Sequence, residues 1–163
     1  MSKDAPKFIV PQNIPLDARI GIVAARFNAD IVDALLEGCT RRLKEMGIDP
    51  ATRAEIHRVP GAFELPVVAA AMAKTKGFSA VICLGCVVRG DTPHFDYVAG
   101  EAARGIQQVA VSTALPIIFG LLTTNTFEQA RDRVGGSHGH AGERAAEAAV
   151  EMIAVLRDIH TPS

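Results

Sequence analysis

Tryptophan is absent from this chain and tyrosine occurs once, so aromatic residues make up only 5% of its 163 positions. With so few of them, a phenylalanine that falls at a strand end becomes a candidate for stacking on a flat ligand, although core packing is the ordinary reading of each one taken alone. Neither sign of charge is in surplus: the formal net charge is −1. That balance leaves no electrostatic footprint for nucleic acid or an anionic membrane, whereas an anionic small molecule needs only one or two local cations. Cysteine is scarce. Cys39, Cys83 and Cys86 are an odd number in a chain without an export signal, which predicts reduced thiols. Cys83-Leu84-Gly85-Cys86 has CxxC spacing, but it lies inside an apolar run, where residues three apart point to opposite faces of a strand and cannot share a metal. All three read as small buried hydrophobes.

Longer signals are missing too. No apolar span approaches the roughly eighteen residues of a membrane helix, and residues 1–11 carry lysines without an apolar stretch behind them. A cytoplasmic protein is therefore expected. The chain has no internal repeat or low-complexity segment, no P-loop lysine signature and no GxSxG elbow, and its lone glycines after strands are too weak for a dinucleotide fingerprint.

What is present is a globular composition, 48% apolar and 21% charged, at a length suited to one domain, 1–163, with residues 1–15 as an extended amino-terminal arm. Residues 19–25 form a short β-branched run that predicts a buried strand. Val32, Leu35, Leu36, Cys39, Leu43 and Met46 then recur at helical spacing between Asn28 as cap and Gly47 as stop. Residues 53–59 predict a second strand, followed by a small-residue helix to about Lys74 with Pro66 in its first turn. The apolar run 80–88 is a third strand, residues 93–114 a helix and residues 117–123 a fourth strand. A short helix near 126–134 and a longer one over 142–159 complete the pattern. Strands separated by helices imply a parallel sheet covered on both faces, hence an α/β flavodoxin-like three-layer sandwich of four parallel strands. Phe8-Ile9-Val10, among Pro6, Pro11 and Pro15, reads as a short edge strand that pairs within its own subunit or with a neighbour's exposed edge.

In such a sheet ligands collect beyond the carboxyl ends of the strands. Phe27 follows strand one, Phe63 and Glu64 follow strand two, and Arg89-Gly90-Asp91-Thr92-Pro93-His94-Phe95 follows strand three. In that corner Gly90 allows a sharp turn, Thr92 suits an N-cap and Pro93 suits the first helical position, so free amide hydrogens would face an anion. His94 adds an imidazole, a group that gives and takes protons near neutrality. Glu64 either accepts hydrogen bonds from a ligand or complements a helix dipole. Arg131 and Arg133 are candidate phosphate clamps, although a solvated surface arginine is the commoner outcome. His138 and His140 alternate in a glycine-rich turn with no third ligand at fixed spacing, so no zinc site is expected.

Five ordered stretches together resemble the lumazine synthase family: residues 21–28, Val59-Pro60-Gly61-Ala62-Phe63-Glu64-Leu65-Pro66, residues 85–97, Pro116-Ile117-Ile118-Phe119-Gly120 and residues 128–142. The resemblance covers most of the chain. It implies condensation of 5-amino-6-(D-ribitylamino)uracil with 3,4-dihydroxy-2-butanone 4-phosphate to 6,7-dimethyl-8-ribityllumazine, without a metal or organic cofactor. It also implies that Phe27 stacks on the pyrimidine, that Ala62, Phe63 and Glu64 hold the ribityl chain, and that Val87 and Val88 line the base pocket. Gly90, Asp91, Thr92 and Arg133 would receive the phosphate, His94 would move protons, and Phe119 would enter from an adjacent subunit.

The family commonly has a lysine in the turn before the last helix, where this chain has Gly139-His140-Ala141-Gly142. Either His140 takes part of that role or Arg133 carries the phosphate alone. The family builds pentamers, and the absence of an insertion over residues 135–142 implies the icosahedral shell that some members form. Two other readings of the same fold remain: a scaffold without catalysis, and a riboflavin synthase that dismutates two lumazines.

Overall fold

Every side chain of the strand β1, Ile20–Ala25, is buried, and so are the first seven of β3, Ala80–Val88. These two strands lie side by side at the centre of a four-stranded parallel sheet, in register from Ile20 opposite Ala80 to Ala24 opposite Leu84. Near-continuous apolar sequence is what a strand covered on both faces requires. β2, Ala54–Val59, flanks β1 at one edge, and β4, Ile117–Thr124, flanks β3 at the other. The computed structural model describes residues 7–161.

Helix α1, Ala29–Glu45, and the carboxy-terminal helix α6, Ala141–His160, pack together on one face of the sheet. Helices α3, Leu65–Lys74, and α4, His94–Thr113, cover the other. The apolar spacing read for α1 is its buried stripe, with Val32, Leu35, Cys39 and Leu43 all inaccessible. The α/β sandwich expected from the sequence is the architecture observed.

Short elements complete it. α2, Pro50–Arg53, begins where Asp49 accepts a hydrogen bond from the Ala51 amide, ahead of a proline suited to the first turn. A single 3-10 turn, Ala62–Glu64, precedes α3. Thr126 caps α5, Phe127–Arg131, and a hairpin of β5, Val134–Gly136, and β6, Gly139–His140, leads into α6.

Three expectations need correction. The N-terminal edge strand does not form in the single chain: Phe8–Val10 joins no strand, and residues 1–6 of the expected arm lie outside the described residues. Side-chain contacts hold this segment to the helical face instead. The Arg42 guanidinium sits over the Phe8 ring, 5.6 Å from its centre, and Arg157 donates to the Asn13 carbonyl at 2.9 Å. Pro11 and Pro15, lacking amide hydrogens, suit such a path. Secondly, Asn28 occupies the N-cap position of α1 without capping it; its backbone is left-handed (φ 56°) and its side-chain Nδ2 donates to the Cys86 carbonyl at 2.9 Å. Thirdly, α4 starts at His94 with Pro93 as its cap, one residue later than Thr92 would set it.

Candidate functional site

The order β2-β1-β3-β4 means that the chain leaves β1 in one direction for β2 and reaches β3 and β4 on the other side. Loops after β1 and β3 therefore diverge at their carboxyl ends and leave a crevice between them. A cavity of about 700 Å³ lies there, lined by Phe27 and Asn28 after β1, by residues 60–64 after β2, and by residues of the β3 end and the first turns of α4. The hydrogen bond from Asn28 to Cys86 ties the first and third of these segments.

Among the residues singled out from sequence, Phe27, Ala62, Phe63, Glu64, Val87, Val88, Gly90, Thr92 and His94 line this cavity together. Phe27 is 72% exposed and Phe63 57% exposed, so core packing does not explain either ring. Val87 and Val88 are the two half-buried residues that end an otherwise buried strand. Glu64 accepts from the Gly61 amide at 2.9 Å through Oε2, which fixes the carboxylate at the turn; Oε1 has no protein partner among the described residues. One oxygen thus serves the turn and the other faces outward, so the two roles weighed for Glu64 are compatible.

The corner after β3 has the features of an anion cradle. The Arg89 amide continues the sheet by donating to the Thr124 carbonyl at 2.9 Å, and the Asp96 amide donates to the Pro93 carbonyl at 3.0 Å. Between these bonds the amides of Gly90, Asp91 and Thr92 have no protein acceptor among the described residues. They stand ahead of the amino terminus of a twenty-residue helix, where the peptide dipoles favour negative charge. His94 is the first residue of that helix and is exposed to the cavity. Asp91 does not line the cavity.

Two other expected residues stand apart from it. Phe119 pairs with Cys83, five positions before β4 ends at Thr124, which is about 16 Å of strand from the corner. Its ring is nevertheless 47% exposed. Arg133 follows α5 and donates to the Gln129 carbonyl at 2.8 Å; its own carbonyl accepts from Ala141 at 2.7 Å, which closes the base of the hairpin. Neither lines the cavity of its own chain.

Sequence reasoning passed over Tyr97 and Val98, which also line it. They lie three and four residues after His94, and that spacing on a helix already places them on its face. Of the two histidines in the glycine-rich turn, His138 hydrogen-bonds the Asp132 carboxylate, which holds that carboxyl below the usual range. His140 accepts from the Gly142 amide through Nδ1 at 3.2 Å and so caps α6; burial pushes its pKa down. Cys39 and Cys83 are buried, and burial raises both thiols to about 12.

A family model described as 6,7-dimethyl-8-ribityllumazine synthase matches residues 17–157. A protein of Thermus thermophilus named 6,7-dimethyl-8-ribityllumazine synthase is 44% identical over 154 residues, which span 94% of this chain and 98% of that protein.

Proposed function

Because the chain belongs to the 6,7-dimethyl-8-ribityllumazine synthase family and so makes this lumazine in riboflavin biosynthesis, we propose that the crevice between the ends of β1 and β3 is where its two substrates meet. The observation that carries the reading is the convergence on one cavity of exposed Phe27, the Ala62-Phe63-Glu64 turn, the Val87-Val88 strand end and the Gly90–His94 corner. Each of these supplies a surface that one part of the substrates needs.

The pyrimidine of 5-amino-6-(D-ribitylamino)uracil stacks on Phe27 against Val87 and Val88. The ribityl hydroxyls meet the turn at Ala62 and Phe63 and the outward oxygen of Glu64. The phosphate of 3,4-dihydroxy-2-butanone 4-phosphate rests on the amides of Gly90, Asp91 and Thr92, with the Asp91 side chain directed away. His94 then stands beside the reacting carbons, where attack of the aromatic amine on the ketone, loss of water and loss of phosphate each require a proton to move. One imidazole serves these steps in turn. Since the substrate carries its own nucleophile, holding the two partners together supplies a large share of the acceleration.

Phe119 and Arg133 enter this scheme from a neighbouring copy, a reading supported by their standing away from the crevice of their own chain. The active site is thus an interface, and the protein works as a homo-oligomer built from pentamers. The exposed edge of β2, where Ile56 is 44% accessible, and the apolar arm residues Ile9 and Leu16, at 81% and 93%, support that assembly.

The test is to mix the two substrates with the protein and follow lumazine absorbance and fluorescence. Product with the mass of 6,7-dimethyl-8-ribityllumazine, formed faster than in the protein-free mixture, is the expected result. A rate equal to the protein-free background would leave only a scaffold.

A further inference from the structure

We propose that Arg89 is a positioning residue for the phosphate-bearing substrate: it fastens the two feet of the Gly90–Pro93 loop together and cancels a carboxylate beside the anion site. The assignment rests on the reading of residues 90–92 as the phosphate cradle.

Arg89 is the first residue beyond β3, and its backbone is fixed by the bond to Thr124. Its side chain does not line the crevice; it reaches past the loop to the first turn of α4. There Nη1 and Nη2 engage both oxygens of Asp96 at 3.3 and 3.0 Å, and the guanidinium plane lies 4.2 Å from the centre of the Phe95 ring. Nε donates to Asn125 Oδ1 at 3.2 Å, at the end of β4. One planar cation therefore joins β3, β4 and α4 at the place where the chain between them carries the free amides. A fork matched to a carboxylate and stacked on an aromatic face is a geometry lysine cannot reproduce.

The charge matters as well as the geometry. Asp96 sits in the first turn of α4, where the helix favours an anion, and a dianionic phosphate on the adjoining loop needs the same field. Pairing with Arg89 neutralises Asp96, so that the helix terminus is left to the ligand. The pair is solvent-exposed and contributes little to stability. Its effect belongs to the loop.

The experiment compares Arg89→Met, Arg89→Lys, Asp96→Asn and the double variant Arg89→Met/Asp96→Asn with the wild type, measuring the KM of each substrate separately. Inorganic phosphate serves as an inhibitor against the phosphorylated ketone. For Arg89→Met the KM of that ketone rises about three- to tenfold, the scale of an exposed charge pair plus a misplaced donor, while the KM of the pyrimidine stays within about twofold. Arg89→Lys falls between Arg89→Met and wild type. Adding Asp96→Asn to Arg89→Met restores part of the affinity, because the uncompensated carboxylate is gone; a purely structural contribution would not be rescued this way. If Arg89→Met does not fold, Arg89→Lys carries the test: a raised KM for the ketone beside an unchanged KM for the pyrimidine supports the assignment, and equal shifts in both overturn it. Equal shifts in both KM values, or a loss of kcat with both KM values unchanged, would overturn the assignment. If wild-type turnover is not inhibited by inorganic phosphate in competition with the ketone, the cradle itself is wrong and the assignment falls with it; if that competition is intact and the variants are unaffected, only Arg89 is wrong.

Discussion

His94 opens a helix just after a strand has ended, beside the cavity that both elements border. Replacing it with alanine removes the proton shuttle but leaves Phe27, the valines and the amides in place to hold the reactants. We therefore expect His94→Ala to lower kcat by about 10²-fold, the low end for a lost acid-base group, because proximity survives. Steady-state lumazine formation measures it, and an unchanged kcat would remove His94 from the mechanism. Residue types at strand ends made most of this site legible in the sequence: Phe27 follows the apolar run of β1, and Gly90, Thr92 and His94 follow that of β3, while Glu64 follows the more polar β2. Arg89 was quoted in the same motif, yet nothing in its sequence context distinguishes a clamp from a ligand. That difference depends on where Asp96 and Phe95 stand after the loop has turned.

At the scale of elements, the two central strands were readable because burial on both faces demands uninterrupted apolar sequence, and β3 was delimited at Ala80–Val88 by that criterion alone. The hairpin before α6 was not. Gly135 and Gly139 adopt positive φ, 117° and 72°, which lets two very short strands turn back within seven residues that carry no alternating pattern. His140 at its end was weighed as a ligand and proves to be a cap, wedged so close to α1 that a Cβ on Gly38 would collide with its ring. Nδ1 accepts the Gly142 amide only when unprotonated. Burial lowers its pKa against the opposing pulls of Glu143 and Glu37, and Arg41 and Arg144 lower it further. A depressed histidine binds its proton less readily in the folded state than in the unfolded state, so the stability it confers is present above the ordinary histidine range and is lost as pH falls through the folded value. Thermal unfolding between about pH 8 and pH 5 should accordingly show a larger acid loss for the wild type than for His140→Asn, whose side chain caps without ionising. Parallel curves would mean that the cap does not titrate.

The whole molecule was the least legible scale. Phe119 and Arg133 belong to recognisable stretches, but that they stand away from the crevice of their own chain depends on tertiary placement and not on local sequence. The same holds for Phe8–Val10, whose strand-like composition finds no strand to pair with in the single chain. Sedimentation of the purified protein should give a defined multiple of the 17.3 kDa chain, a pentamer or a shell of pentamers, and activity should disappear with dissociation. A fully active monomer would contradict a shared site.

The bond between Asn28 and the Cys86 carbonyl has an effect that reaches beyond the turn it stabilises. By bracing the two banks of the crevice against each other before any ligand arrives, it transfers the entropic cost of shaping the pocket from each catalytic cycle to the single event of folding.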